Sequence, residues 1–158
     1  MYAGTFFTNG NLVLCGYQQN KQVPSISGFG GKKENTDPTL TYTAIRETLE
    51  ELFDITPDHN LINNIDDDLN IKNVIVHDNY HMIIYSFEDL EIILNILFQN
   101  NITSNLYDEL PNNISDLILK RKIDQNSEIS HLCLLPLKEN LQLNVDFIQD
   151  IHRYLVQK

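Results

Sequence analysis

The feature that most constrains the fold is a glycine-rich stretch followed by a strongly patterned helix. Residues 28–31 read GFGG, and residues 41–53 read TYTAIRETLEELF. A helix advances about 100° per residue, so large apolar side chains collect on one side of this segment and acidic ones on the other. The apolar side comprises Tyr42, Ile45, Leu49 and Leu52. The acidic side comprises Glu47, Glu50 and Glu51. The pattern predicts a helix that packs on a core and presents clustered carboxylates beside a glycine-rich loop.

The three carboxylates can be explained in two ways. A solvated helix face would need no function, although like charges at this spacing repel by a few tenths of a kcal/mol each, roughly. Alternatively, a hard cation such as Mg²⁺ takes oxygen ligands and cancels that repulsion. Arg46 directly precedes the cluster, and its planar guanidinium can orient a carboxylate. Gly30 and Gly31 would let main-chain N–H groups approach a ligand closely. We therefore expect the glycines and glutamates to form one site for a phosphorylated substrate.

The rest of the chain predicts a single domain over residues 1–158, because it contains neither an internal repeat nor a Pro/Gly/Ser linker. Asn9-Gly10, between two β-rich runs, predicts a hairpin. The predicted strands are 2–7, 11–17, 23–27, 71–78, 80–87 and 128–135. The predicted helices are 41–53, 88–99, 114–123 and 145–157, and the predicted polar connections are 56–70 and 100–113. This mixture indicates the α/β or α+β class rather than a βαβ repeat.

Charge and cysteine usage narrow the function classes. With 11 basic and 22 acidic residues, the chain lacks the basic footprint of a non-specific nucleic-acid binder. Its one dense basic run, 120–122, is interpreted as a solvated helix face in preference to a phosphate-contacting patch. Neither a membrane-spanning apolar run nor a signal-peptide pattern is present. Cys15 and Cys133 are interpreted as buried, reduced residues of a cytoplasmic protein, with a disulfide as the less favoured alternative.

Residues 31–51 resemble the signature of the Nudix hydrolase family. That signature reads G-x5-E-x7-R-E-U-x-E-E-x-G-U, where U is a bulky aliphatic residue. Gly31 matches its first glycine, Arg46 and Glu47 match its R-E pair, and Glu50 and Glu51 match its E-E pair. The signature spans about one-sixth of the chain, and a looser similarity extends over most of the remainder.

The chain also departs from that signature at four points. The interval from Gly31 to Arg46 is one residue longer than in the family. Asp37 replaces the early glutamate, Thr48 the aliphatic residue and Phe53 the late glycine. The lost glycine puts the end of the helix in doubt, because a residue with a side chain adopts the left-handed conformation at an energetic cost. None of these changes removes the three clustered carboxylates.

The resemblance implies a Nudix fold, in which a mixed β-sheet is sandwiched between helices. It also implies a hydrolase that uses Mg²⁺ (or Mn²⁺) to cleave the diphosphate linkage of a nucleoside di- or triphosphate or of a nucleoside diphosphate derivative. The metal ligands it implies are Glu47, Glu50 and Glu51. The catalytic residues it implies are Arg46, Glu50, Glu51 and Glu128. The substrate-binding residues it implies are Phe29, Gly30, Gly31 and Lys32.

Glu128 begins a strand-like run that ends at Pro136, and many Nudix proteins carry at this point a glutamate that serves as a base or an extra metal ligand. A simple exposed glutamate at a strand edge is the alternative. The longer signature, the LEEL ending and the terminal helix are most similar to the snoRNA-decapping branch, whose members also hydrolyse inosine nucleotides. Two other functions therefore stay open: decapping of mRNA or snoRNA, and a non-catalytic Nudix-fold module. The expected partner is a small-molecule nucleotide, with capped RNA or a homodimer as alternatives and no membrane.

Overall fold

The computed structural model describes residues 1–19, 25–124, 126–138 and 148–157. The strands in these ranges are β1 (Tyr2–Thr8), β2 (Leu12–Gln18), β3 (Ser25–Ser27), β4 (Phe29–Lys32), β5 (Asn73–His77), β6 (Tyr80–Ser86) and β7 (His131–Pro136). The helices are α1 (Leu40–Phe53), α2 (His59–Asp68), α3 (Phe87–Gln99), α4 (Ile114–Leu119) and α5 (Ile148–Gln157).

All of these strands belong to one mixed sheet, whose main order is β3-β2-β1-β6-β5. β1 and β6 run parallel, and the other pairs are antiparallel. One edge of β1 is shared between two partners: β4 pairs with residues 2–5, and β2 pairs with it at Thr8. β2 in turn pairs with β7. The sheet therefore divides beside the glycine-rich strand β4, which contacts α1.

Helices cover both faces of this sheet. Because successive strand residues point to opposite faces, Phe7 and Ile83 pack beneath α1 to α4, whereas Phe6 and Met82 pack against α5. Both faces are buried, which explains the nearly continuous apolar runs in β1, β2 and β6. The expected mixed sheet between helices, in the α+β class, is confirmed.

Short polar residues set the turns. Thr8 and Asn9 accept N–H groups of the β1–β2 turn, including those of Gly10 and Leu12, and Gly10 adopts a φ of 91°. This confirms the hairpin predicted at Asn9-Gly10. At the β5–β6 hairpin, Asp78 occupies the left-handed region with a φ of 50°. Asp and Asn tolerate that region better than other residues with a side chain.

Helix α1 buries the side that the sequence pattern indicates. Thr39 caps its start by accepting the N–H of Tyr42 at 3.0 Å. The four apolar residues of that side are buried, at no more than 4% exposure: Tyr42, Ile45, Leu49 and Leu52. Thr48 is also fully buried, and its hydroxyl bonds Ala44 O at 2.7 Å and the Thr5 hydroxyl at 2.6 Å. A threonine therefore fits the place of the aliphatic residue because β1 supplies a polar partner.

The prediction that 56–70 is only a polar connection is wrong, because this stretch contains α2. Asp58 caps the helix by accepting the N–H of Leu61 at 2.8 Å. Its buried residues, Leu61, Ile62 and Ile65, lie at helical spacing within a run dominated by Asn and Asp. These three apolar residues outweigh the low helix propensity of their polar neighbours.

Other boundaries differ in smaller ways. The GFGG stretch is not a loop, because residues 29–32 form β4 and pair with β1. The helix predicted over 114–123 ends at Leu119. Of the predicted strand 23–27, the part from Ser25 is a strand and residues 23–24 lie outside the described residues. Residues 145–147 of the last predicted helix also lie outside them.

The two cysteines are neighbours across the sheet. Cys15 on β2 stands directly opposite Cys133 on β7, and their sulfur atoms lie 3.2 Å apart as free thiols. Cys15 is fully buried, whereas Cys133 is partly exposed, so the expectation that both are buried holds only for Cys15. Within the described ranges, the helices are too short or too polar for any of them to cross a membrane.

Candidate functional site

Arg46 is the centre of a charged network at the start of the site. Arg46 is 8% exposed, and its guanidinium donates from Nε and Nη2 to the Asp37 carboxylate, the shortest bond being 3.0 Å. Nη2 also donates to Lys32 O at 3.0 Å, which ties α1 to the end of β4. Nη1 lies 3.0 Å from Glu47 and 3.1 Å from Glu50. One buried cation therefore holds both carboxylates and the strand beside them.

Asp37 fills the place of the early glutamate in the resemblance. It is 2% exposed and accepts the N–H of Glu34 at 3.0 Å and the Thr43 hydroxyl at 2.9 Å, besides the bonds from Arg46. Burial alone would raise the pKa of Asp37, but these bonds lower it. Likewise, burial would lower the pKa of Arg46, but Asp37, Glu47 and Glu50 together raise it. The pair is therefore ionised on both sides.

Gly31 makes room for Glu47. A Cβ atom at Gly31 would lie 2.3 to 2.5 Å from the carboxylate atoms of Glu47, so any side chain there would displace them. Burial, together with Glu50 and Glu128, raises the pKa of Glu47 against the opposing effect of Arg46. The glycine thus serves close approach of a carboxylate to the strand.

Glu51 is the most perturbed carboxyl group of the site. Its Oε1 accepts the N–H of Gly30 at 3.3 Å, whereas its buried Oε2 has no hydrogen-bond partner among the described residues. Burial and the neighbouring carboxylates Glu128, Glu47 and Glu50 raise the pKa of Glu51 to about 9. An acid with this pKa is protonated at neutral pH unless a positive charge joins it.

Glu128 lies in the loop before β7 rather than inside the strand, which starts at His131. The Gln18 side chain on β2 donates to its Oε1 at 3.2 Å. Glu128 and the carboxylates of α1 line one cavity of about 200 Å³, which we call the acidic cavity. The residues lining it are Glu47, Glu50, Glu51, Asp54, Asn126, Ser127, Glu128 and Ile129. The fold therefore brings four glutamates from two distant segments together.

The carboxylates are not arranged as a metal site in this conformation. Within the described ranges, no three His, Cys, Asp or Glu side chains are grouped so as to hold an ion, since Glu47 and Glu50 bond Arg46 instead. The residue types nevertheless fit a hard divalent cation, which takes carboxylate oxygens. The unpartnered, buried Oε2 of Glu51 and its raised pKa fit the same ion. Joint coordination by Glu47, Glu50 and Glu51 stays a prediction.

The C-terminus of α1 ends without the glycine of the signature. Phe53 stays helical, and Asp54 takes the left-handed conformation with a φ of 51° while its N–H bonds Glu50 O. Ser104 bonds Phe53 O, and Arg121 donates to the carbonyls of the two residues before it, Glu51 and Leu52. The last four carbonyl groups, which a helix leaves unpaired, all have partners here. Asp54, together with side chains from two distant segments, thus takes the place of the missing glycine cap.

Arg121 corrects the interpretation of the basic run. It is buried at 8% exposure and does not lie on a solvated helix face. Its neighbours are exposed but paired: Lys120 lies 3.2 Å from Asp116, and Lys122 lies 2.6 Å from Asp108. The sequence offered no signal for this, because a buried arginine in a polar loop has no periodic pattern.

The predicted substrate-binding residues have different environments. The ring of Phe29 is 1% exposed and belongs to the core. The N–H of Gly30 donates to the Glu51 carboxylate. The carbonyl of Lys32 accepts from Arg46, and Lys32 is otherwise exposed. A core position leaves the Phe29 ring unable to stack on a base in this conformation. Contact of substrate with Gly30, Gly31 and Lys32 remains a prediction.

Comparison with known proteins gives a weak likeness only. No family model matches the chain, and no curated protein matches it. Among solved structures, 42 chains match, and one of them is the NUDIX domain of Shewanella oneidensis NrtR complexed with ADP-ribose. The identity is 15%, the alignment covers 99% of this chain and 86% of that chain, and the TM-score is 0.47. A similarity at this level assigns neither a family nor a ligand to the present chain.

Proposed function

We propose that this protein is a divalent-cation-dependent hydrolase that cleaves the diphosphate linkage of a nucleoside di- or triphosphate, or of a nucleoside diphosphate derivative. The observation that carries the proposal is the Glu51 carboxyl group, which is buried in the acidic cavity with Oε2 unpartnered among the described residues. Its pKa of about 9 marks a position where a cation would stabilise the ionised form. The Nudix resemblance of residues 31–51 supports the same reaction.

In this proposal, Glu47, Glu50 and Glu51 hold Mg²⁺ or Mn²⁺. When bound, such an ion supplies positive charge to the phosphate oxygens and lowers the pKa of a coordinated water. Arg46 acts on the carboxylates and not on the substrate, since it is buried and bonds Glu47 and Glu50. Glu128 or Glu51 accepts the proton of the attacking water.

The charge distribution supports a small nucleotide ahead of RNA. The chain carries a net charge of −11, whereas binding along an RNA backbone draws on several exposed Lys and Arg side chains. Arg121 is buried, Lys122 pairs with Asp108, and Arg153 bonds Asp150 at 3.0 Å. A free nucleotide needs only local positive charge, which the bound cation would provide.

A substrate panel tests the proposal. The panel contains inosine and oxidised purine triphosphates, ADP-ribose, dinucleoside polyphosphates and capped RNA, each with Mg²⁺ or Mn²⁺ and with EDTA. We expect turnover of a small nucleotide that requires the ion and falls by roughly 100-fold or more in Glu50→Gln. The matched control is Glu91→Gln, at an exposed position on α3.

Each alternative gives a distinct result in that panel. A preference for capped RNA with a steep salt dependence would support decapping instead. Tight nucleotide binding without turnover in any condition would support a non-catalytic module. Equal activity in Glu50→Gln and Glu91→Gln would refute the assignment of the acidic cavity.

A further inference from the structure

Arg121 connects two segments that carry carboxylates of the acidic cavity. It lies just after α4, outside the cavity lining, and its guanidinium is buried. Nη2 donates to Glu51 O at 3.0 Å and to Ile129 O at 3.0 Å, and Nη1 donates to Leu52 O at 2.5 Å. All three acceptors are main-chain carbonyls. One planar group therefore bonds the end of α1 and the loop before β7 at the same time.

The loop that Arg121 reaches is held from its other side by β2. Ser130 donates its N–H to Tyr17 O at 2.9 Å, and the Gln18 side chain donates to the Glu128 carboxylate at 3.2 Å. Glu128 thus lies between an anchor on β2 and the Arg121 bond at Ile129. The same guanidinium also bonds Glu51 O at the end of α1. Arg121 therefore joins the main chain at Glu51 to the main chain at Ile129, the residue that follows Glu128.

We propose that Arg121 is a positioning residue that sets the placement of Glu128 relative to Glu51 for cation binding and hydrolysis. This inference rests on the proposed function and adds a residue outside the Nudix signature to it. A buried guanidinium is expensive to desolvate, and hydrogen bonds to several acceptors offset that cost. Lysine is not equivalent, because a point charge lacks the fork that reaches carbonyls on two segments.

A purely structural role would be limited to capping α1. Ser104 provides that comparison, because its hydroxyl bonds Phe53 O at the same helix end. Ser104 belongs to a different loop, and its hydroxyl bonds Phe53 O and the N–H of Leu106 rather than the loop before β7. Ser104→Ala therefore loosens the end of α1 and leaves the bond between Arg121 and Ile129 in place. Comparison of the two positions separates positioning from capping.

The experiment measures Mn²⁺ binding by calorimetry and hydrolysis of the panel nucleotide that wild type turns over fastest. The variants are Arg121→Lys, Arg121→Met and Ser104→Ala, each checked for folding by circular dichroism at the assay temperature. We expect Mn²⁺ affinity and kcat to fall about 10- to 100-fold in both Arg121 variants, with KM changed by less than about threefold. Ser104→Ala should keep both parameters close to wild type. If Arg121→Lys is unfolded, Arg121→Met serves as the second variant, because its unbranched apolar side chain suits a buried position.

The outcomes distinguish this inference from the proposed function. Wild type that neither binds Mn²⁺ nor hydrolyses any nucleotide overturns both together. Active wild type with folded Arg121 variants that match Ser104→Ala overturns the positioning role alone. If both Arg121 variants are unfolded, Gln18→Ala decides, because it releases Glu128 from β2 only. Unchanged Mn²⁺ affinity and kcat in that variant would overturn the claim that Glu128 placement matters.

Discussion

Replacing Asp37 by Asn tests the network that orients the α1 carboxylates. The substitution keeps the size of the side chain and removes its charge, so the buried Arg46 loses its most enclosed partner. Breaking a buried ion pair from one side costs about 3 to 5 kcal/mol. Arg46 keeps its ion pairs with Glu47 and Glu50 and its bond to Lys32 O. We therefore expect the low end, about 3 kcal/mol, or roughly 6 to 12 °C in Tm for a chain of this size.

Glu34→Gln is the matched control for that change. Glu34 also faces Arg46, but its carboxylate is 3.9 Å away and its side chain is 62% exposed. An exposed pair of this kind contributes less than about 1 kcal/mol. Urea unfolding followed by circular dichroism at pH 7 compares the two variants with wild type. Equal losses for Asp37→Asn and Glu34→Gln, or a loss below about 1 kcal/mol for Asp37→Asn, would refute the reasoning.

The pH dependence of the same difference provides a second check. The pKa of Asp37 in the folded protein lies below its ordinary value, because the bonds it accepts outweigh its burial. Its stabilising contribution is therefore fully present above the unfolded-state pKa of about 3.9, and it is lost as the pH falls through the lower folded-state pKa. We expect the stability gap between wild type and Asp37→Asn to be constant from about pH 7 to pH 5 and to shrink as the pH falls below about 3.9.

Three further changes test separate parts of the structure. Gly31→Ala should lower Mn²⁺ affinity and turnover about 10-fold or more, because the new methyl group displaces the carboxylate of Glu47. Stability should change by less than about 1 kcal/mol, since only the flexible end of that side chain has to move. An unchanged Mn²⁺ affinity would contradict this expectation. Tyr85→Phe should leave stability unchanged or raise it by up to about 1 kcal/mol in urea unfolding, because the buried hydroxyl lacks a partner among the described residues. A clear loss of stability would contradict this expectation. Treatment with diamide should form a disulfide bond between Cys15 and Cys133 within one chain, because directly opposed strand residues have a Cα spacing that a disulfide can bridge. Thiol alkylation followed by mass spectrometry measures this, and detection of two free thiols would contradict it.

Local patterns predicted most of the elements because each was strongly periodic. The apolar stripe of α1 and the Asn9-Gly10 turn are encoded within a few residues of one another. Helix α2 was missed because its three apolar residues are surrounded by Asn and Asp, whose helix propensity is low. The glycine-rich stretch has the composition of a loop, because glycine weakens a strand on its own. Its pairing with β1 is a long-range contact that composition does not show.

The same distinction applies to the candidate site. Glu47, Glu50 and Glu51 share one helix face, so their proximity follows from helix geometry alone. Glu128 could be selected only through the resemblance, since it comes from a loop 77 positions after Glu51 (128 − 51). Gln18 has no distinguishing sequence pattern, and its bond to Glu128 arises from the pairing of β2 with β7. Tertiary contacts therefore determine the half of the cavity that local spacing leaves unspecified.

The departures from the Nudix signature coincide with compensating contacts elsewhere. Asp37 has one methylene fewer than glutamate, and it still reaches Arg46 together with Thr43 and the main chain of Glu34. The missing glycine at Phe53 is offset by other groups that bond the last helical carbonyls. Neutral residues at the acidic end of α1 would need none of these compensating contacts for the helix to be stable. The buried Arg46 instead holds Glu47 and Glu50 close together, which is the arrangement that the proposed cation site requires.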